Sequence, residues 1–303
     1  MKTISIIGAS IGIASPMQGA SLGPEAIRMA GLREKLRRLG KKVEDAGNLP
    51  SLEEPFPPKH FRKAAIRYPD EAREFLSLLK EKVLAALEQR HLPLVLGGDH
   101  SIAMASLSAA AGYYASIEKK PGLIWFDAHA DLNTGETSPT GNIHGMPLAV
   151  ALGKGDERLI SLFEGRFFDP KRTAIIGVRS VDPLERDLVR ELGVTVFTMK
   201  DIDDKGMTHC VRKALETASP DGNPYHLSFD VDVIDSQFAP GTATPVLGGV
   251  TLREAHLFME MIAENGNAWS IDVAEVNPLL DHENRTSEVA VLLLESVFGK
   301  VIY

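Results

Sequence analysis

The chain holds a single cysteine, Cys210, in 303 residues. An internal disulfide framework is thereby excluded, and the protein suits a reducing compartment. Positive charge is also in short supply: 33 Lys and Arg stand against 41 Asp and Glu, a formal net charge of −8. Affinity for a phosphate backbone needs clustered cations, so no nucleic-acid partner is expected. The densest basic run, Arg33-Glu34-Lys35-Leu36-Arg37-Arg38, reads as the solvated face of a helix. Long apolar runs are missing too, since nothing approaches the roughly 18 consecutive apolar residues of a membrane span. The stretch 4–14 has one basic residue before it and is interrupted by Gly8, Ser10 and Gly12. It makes a poor secretion signal and a good first β-strand ending in a glycine turn. A cytoplasmic protein with no membrane partner is the expectation.

What is present is an ordinary globular composition, 44% apolar and 24% charged, with ample material for a core. Short apolar or β-branched runs fall at 4–7, 94–96, 123–126, 174–178, 194–198, 226–231 and 269–273. Amphipathic stretches separate them. The clearest spans 69–90, where Ala72, Phe75, Leu76, Leu79, Val83, Ala86 and Leu87 follow helical spacing. Pro24 and Gly40 bracket "GPEAIRMAGLREKLRRLG" as the start and stop of one helix. Thr251 with Glu254 reads as a capping box. Strands alternating with helices imply an α/β fold with a mainly parallel sheet covered on both faces. Residues 1–303 are taken as one domain, without internal repeats, and 48–69, rich in Pro and charge, as a surface excursion.

Ligands of such sheets collect beyond the carboxyl ends of the strands, and there the sequence concentrates acids and histidines. "LPLVLGGDHS" supplies Asp99 and His100, "LIWFDAHAD" supplies Asp127, His129 and Asp131, and "HLSFDVDVID" supplies Asp230, Asp232 and Asp235. In extended backbone, alternate residues share a face, so Asp127, His129 and Asp131 can converge, as can Asp230 and Asp232. Crowded carboxylates raise each other's pKa unless cations neutralise them. Four aspartates and two imidazoles suffice for two divalent ions, with two carboxylates left to bridge. An oxygen-rich set without thiolate favours Mn over structural Zn, with Zn, Fe, Co or Ni still chemically open. Two ions at roughly 3.5–4 Å could generate a hydroxide between them, which implies hydrolytic attack on an electrophilic carbon. Asp99 alone reads as a cap or turn former. "SPTGNIHGMP", with Asn142 and His144, is too rich in Gly, Pro and hydroxyls for a core element. Glu275 in "DVAEVNP" could pair with a planar guanidinium or form a structural salt bridge.

The ordered set "GGDHS", "DAHAD", "TGNIHGMP", "SFDVDVID", "APGTATP" and "EVNP" resembles the ureohydrolases, and most of all the arginases, over nearly the whole chain. That resemblance implies a single three-layer α/β domain on an eight-stranded, mainly parallel sheet. It also implies two Mn(II) ions per subunit and hydrolysis of L-arginine to L-ornithine and urea. One ion would be held by His100, Asp127, Asp131 and Asp230, the other by Asp127, His129, Asp230 and Asp232, with a bridging hydroxide attacking the guanidinium carbon. Asp131 would also pass a proton to the leaving amine. His144 matches a proton-shuttle histidine, with a hydrogen-bonded loop histidine as the plainer alternative. Glu275 matches the guanidinium-orienting carboxylate, and Thr244 lines the same pocket. Asn133, Ser138, Thr140 and Asn142 fall in or beside the loop that reads the α-carboxylate. Asp182, helped by Glu185, would read the α-amino group; both could instead cap a helix. The resemblance further implies a homo-oligomer, trimer or hexamer.

Departures from the family pattern bear on the substrate. Asp232-Val233-Ile234-Asp235-Ser236 replaces the usual Asp-Gly-Leu-Asp-Pro, and a β-branched residue at 233 would resist a positive φ. Ala243 stands where Gly is usual and Thr140 where Ser is typical, and "GIASPMQGASLGP" lacks the family's acid and basic residues. These changes are expected to surround the substrate pocket. The alternatives are another guanidino or formimino substrate (agmatine, guanidinobutyrate, formimidoylglutamate), a non-catalytic family member, or a single-zinc deacetylase on a related fold.

Overall fold

Eight strands form one parallel sheet in the order β2-β1-β3-β8-β7-β4-β5-β6. They are β1 (Ile4–Ala9), β2 (Val43–Asn48), β3 (Leu92–Gly97), β4 (Gly122–Phe126), β5 (Thr173–Val178), β6 (Thr195–Thr198), β7 (Tyr225–Asp230) and β8 (Ala268–Ala274). The computed structural model describes residues 2–53 and 66–301, so the middle of the excursion at 48–69 lies outside the described residues. Among the described residues no helix is long and apolar enough to cross a membrane.

Both faces of the sheet are covered, which is why its strands read as continuous apolar runs rather than alternating ones. Ile7, Val95, Trp125 and Ile175 pack on one face under the helices Pro69–Glu88 and Ile102–Ser116. Ile6, Leu94, Leu96, Phe126 and Phe229 pack on the other, under Met207–Ala218, Leu252–Asn265 and Arg285–Val297. The helix Ile102–Ser116 is apolar on all sides and almost wholly buried, as expected of a helix enclosed by its neighbours. The capping box of Thr251 and Glu254 forms at the start of Leu252–Asn265.

Two expectations are corrected. The segment bracketed by Pro24 and Gly40 is two helices, Gly23–Met29 and Leu32–Arg38, because Gly31 takes a left-handed φ of 84° that ends the first. Strand β2 was not expected. Its sequence, VEDAGN, buries only Val43 as an edge strand and so carries no apolar signal. A bidentate ion pair from Arg28 to Asp45, both contacts 2.9 Å, holds it.

The strand order places the carboxyl ends of β3, β8, β7, β4 and β5 side by side. Loop 9–14 crosses directly over the end of β3: Asp99 N donates to Ile11 O at 2.9 Å, and Ala14 N to Asp99 Oδ2 at 3.0 Å. A Cβ on Gly98 would lie 1.7 Å from Ile11 O, so the glycine before "DH" is required by that crossing. Asp99 is buried among these bonds and one from Ser101 N, the structural part expected of it.

Candidate metal centre

Each of the five adjacent strand ends delivers part of one site. His100 follows β3, Asp127 follows β4, Asp230 ends β7 and Asp232 lies just beyond it, Glu275 follows β8, and Asp182 lies beyond β5. The convergence does not arise from the extended alternation expected of this stretch. The chain leaves strand geometry at Asp127, and Asp131 adopts a left-handed φ of 51°. Asp232 sits on a 3-10 turn, Val231–Val233. Two local bonds shape these turns: His129 N donates to Asp127 Oδ1 (2.7 Å) and Asp232 N to Asp230 Oδ1 (2.8 Å). A carboxylate accepting the N–H two residues on is the ordinary Asx-turn device.

His100 Nδ1 faces three carboxylate oxygens, of Asp127 at 3.3 Å and of Asp131 and Asp230 at 3.0 Å each. His129 Nδ1 faces Asp232 at 3.0 Å and Asp127 at 3.5 Å. The ligand atoms of His100, Asp127 and Asp230 lie within 4.8 Å of one another, as do those of Asp127, His129 and Asp232. Asp127 is thus common to both groups. Asp230 groups with the first set and not the second at that spacing, and Asp131 joins through its approach to His100.

The electrostatics are those of a site built for cations. Burial raises the Asp230 carboxyl well above its usual range, and the charges of Asp232 and Asp127 raise it further. Burial also raises Asp131, as does the charge of Asp127. Burial would lower the pKa of His100, but the surrounding carboxylates outweigh it and hold the imidazole well above its ordinary value. His129 is raised likewise, with Asp232 the strongest contributor. Protons on the imidazoles therefore occupy the place of positive charge. His100 Nδ1 is buried without a well-formed hydrogen bond, which suits a nitrogen whose lone pair serves a metal. The donor set of carboxylate oxygen and imidazole nitrogen fits a divalent first-row ion.

Above these residues lies a cavity of about 320 Å³ lined by His129, Asp131, Asn133, Ser138, Thr140, Asn142, His144, Asp182, Glu185, Asp230 and Thr244, together with Pro16, Pro139, Gly145 and Ser180. Every expected substrate-contact residue except Glu275 lines it. Glu275 lies just behind, 1% exposed and at a left-handed φ of 64°. Its Oε1 accepts from His100 N at 2.8 Å and meets His144 Nδ1 at 3.2 Å, whereas Oε2 is buried without a partner. Thr244 Oγ1 donates to Asp232 Oδ2 at 3.2 Å.

On the rim, Asn133 Nδ2 donates to Asp182 Oδ2 at 3.0 Å, and Thr137 Oγ1 donates to Asn133 Oδ1 at 2.9 Å. Arg67 Nη1 donates to Asn142 Oδ1 at 3.0 Å, and Arg67 N to Gly141 O at 2.9 Å. Thr137 and Arg67 had no signal of their own in the sequence. Glu185 is spent mainly on backbone, accepting from Leu132 N (2.8 Å) and Asp182 N (3.0 Å); the capping alternative describes it better than direct substrate contact. Of the departures singled out, only Thr140 and, from the N-terminal stretch, Pro16 reach the cavity. Val233 has no positive φ and is fully buried, its Cγ2 only 2.3 Å from where a Cβ on Gly177 would lie. Ser236 and Ala243 do not line the cavity, so the expectation that these changes surround the substrate pocket is corrected for Val233, Ser236 and Ala243 but not for Thr140 or the N-terminal stretch.

Parallel α/β architecture with two carboxylate–imidazole groups sharing one aspartate at the strand ends defines a metal-dependent hydrolase type of site. The arginase family model matches residues 2–299, and the chain belongs to that family. It is 44% identical to the arginase of Bacillus subtilis over 308 residues, covering 99% of this chain and 98% of that one. The arginase of Bacillus caldovelox superposes with a TM-score of 0.94 at 40% identity, each chain fully covered. The arginase of Entamoeba histolytica in complex with L-ornithine superposes with a TM-score of 0.88 at 30% identity, covering 99% of this chain and all of the other.

Proposed function

We propose that the protein hydrolyses L-arginine to L-ornithine and urea with two Mn(II) ions per subunit. The observation that carries this reading is Asp127, shared between the His100 and His129 groups, which reach the cavity through His129 and Asp230. His100, Asp127, Asp131 and Asp230 would hold one ion, and Asp127, His129, Asp230 and Asp232 the other. When bound, such a pair supplies hydroxide at neutral pH by lowering the pKa of water, and stabilises developing negative charge.

The remaining work falls to the chain. Glu275 presents a buried, unpartnered Oε2 beside the metal groups, and a carboxylate there orients a guanidinium through charge-assisted hydrogen bonds. Its Oε1 holds His144 by Nδ1, leaving the other ring nitrogen to exchange protons between solvent and the leaving amine. Asp131 is placed to take a proton at its carboxylate and hand it to the same amine. At the far end of the cavity, Asn133, Ser138, Thr140 and Asn142 offer neutral polar groups to an α-carboxylate. Asp182 offers negative charge to an α-ammonium, with Glu185 fixing its backbone. The spread of these groups suits an amino acid with both α-substituents. That the E. histolytica relative was crystallised with L-ornithine supports the same product here. Family membership supports a homo-oligomer, trimer or hexamer, and the lone buried Cys210 suits the cytoplasm.

The test is to load the protein with Mn(II), count bound ions, and assay urea release from arginine, agmatine and guanidinobutyrate. Two ions and preferential arginine turnover are expected. Cleavage of agmatine without arginine would overturn the substrate assignment, and full metal loading with no urea from any of them would overturn the reaction.

A further inference from the structure

A line of buried polar side chains runs from the metal centre away from the cavity, back along β7 and β8. Ser228 and His226 lie two and four residues before Asp230, and they pair in register with Asp272 and Ser270 of the neighbouring strand. All four are at most 1% exposed, as is Ser106 on the covering helix. His100 Nε2 lies 2.8 Å from Ser228 Oγ, and Ser228 Oγ donates to Asp272 Oδ1 at 2.6 Å. Asp272 Oδ2 accepts from His226 Nε2 at 2.8 Å and from Ser106 Oγ, and His226 Nδ1 meets Ser270 Oγ at 2.8 Å.

A carboxylate this deep is costly unless its lone pairs are filled, and apolar residues would serve packing alone equally well. Asp272 has three donors. Burial raises its pKa, but His226, with smaller help from His100 and the Ser106 hydroxyl, outweighs that and keeps the carboxyl below its usual range, so Asp272 accepts and does not donate. Ser228 has one hydroxyl proton and gives it to Asp272. Its oxygen can then only accept from His100, which keeps a proton on Nε2 and leaves Nδ1, the nitrogen that faces Asp127, Asp131 and Asp230, as the one that gives up its proton to a metal ion.

We propose that Asp272, acting through Ser228, is the positioning residue that fixes His100 as a metal ligand through Nδ1, with His226 and Ser106 holding Asp272 in its accepting role. The inference rests on reading His100 as a ligand. Ring orientation is set independently by Trp125, stacked on His100 at 4.2 Å and donating from Nε1 to Asp127 Oδ2 at 2.8 Å.

The test compares the parent protein with Ser228→Ala and Asp272→Asn by Mn(II) titration, counting free and bound ion by electron paramagnetic resonance. Ser228→Ala removes the relay. Asp272→Asn can present an amide N–H to Ser228, turning its hydroxyl towards His100 and favouring the proton on Nδ1. Both variants should weaken one of the two sites about 10- to 100-fold and leave the other unchanged, so that coupled-pair spectra give way to an isolated-ion signal. Ser228→Thr, which keeps the hydroxyl, should bind as the parent does and decides the matter if Asp272→Asn does not fold. Unchanged affinity at both sites, with melting temperature lowered equally in metal-free and loaded protein, would overturn the relay and leave a packing role. A parent that takes up no Mn(II) would overturn the metal reading itself.

Discussion

The floor and the rim of the cavity are built on different principles. On the floor, His100, Asp127, Asp230, Asp232 and Glu275 are at most 2% exposed and stand within three residues of strand ends. Strands fixed in register by the sheet hold them. The rim, from Asn133 to Asn142, has no helix or strand apart from the start of the short turn at Ile143. It is held by side chains instead: Thr137 on Asn133, Asn133 on Asp182, Ser138 on Gly141 N at 2.9 Å, and Arg67 on Asn142. On the proposed function, reaction chemistry is anchored in the rigid sheet and substrate choice in a loop tied by side-chain hydrogen bonds. Damage to the floor should therefore abolish activity, and damage to the rim should change which substrate is preferred.

The largest effect is expected at Asp127, the residue common to both groups. Asp127→Ala should leave neither ion bound and reduce kcat by about a thousandfold or more, some 4 kcal/mol of barrier. Metal counting after dialysis checks it, and retention of two ions would remove Asp127 from the bridging position. Glu275→Gln comes next. The amide keeps an acceptor for His100 N but loses the charge facing the guanidinium, so KM for arginine should rise about 100-fold, near 2.7 kcal/mol, with metal content unchanged. A loss of metal in that variant would place Glu275 in the metal sites and erase its separate role.

Rim substitutions sharpen the contrast. Thr137→Val keeps the shape and removes the hydroxyl that fixes the Asn133 amide. KM for arginine should rise about five- to tenfold, roughly the 1–1.4 kcal/mol of one hydrogen bond, with kcat and metal content unaltered and agmatine turnover indifferent. Parallel losses of kcat for both substrates would show that floor and rim are not separable.

How legible all this was depends on what each residue touches. Strands buried on both faces announced themselves as apolar runs, and the metal-site acids and histidines stood out because little else explains such groups after a strand. β2 was invisible because an edge strand with one buried side chain has no such run. The helix break at Gly31 depended on a left-handed residue that spacing alone does not demand. The predicted alternation brought Asp127, His129 and Asp131 together for the wrong reason, since turns and the positive φ of Asp131 bring them there. Thr137, Ser228 and Asp272 were missed because a hydroxyl or acid gains meaning from a partner on another strand or turn. One signal was available: "YHLSFD" places a polar residue at every second position of a fully buried strand, which packing alone would not select.

The smallest effect should arise far from both regions, and it calibrates the others. Partial burial of Asp45 would raise its pKa, but hydrogen bonds from Arg28 and Gly47 N outweigh that and hold the carboxyl below its ordinary 3.8. A depressed folded-state pKa contributes stability above the unfolded value, and that contribution disappears as pH falls through the folded one. Because solvent screens the pair, its share should stay below about 1 kcal/mol. Asp45→Asn should thus lower the urea midpoint slightly at pH 7, and the gap from the parent should narrow as pH falls below 3.8. Metal affinity and KM should not move, because β2 is separated from the nearest metal-site strand, β3, by β1. A change in either would mean that the sheet transmits strain from its edge to the floor, and the rigidity assigned to the floor would have to be abandoned.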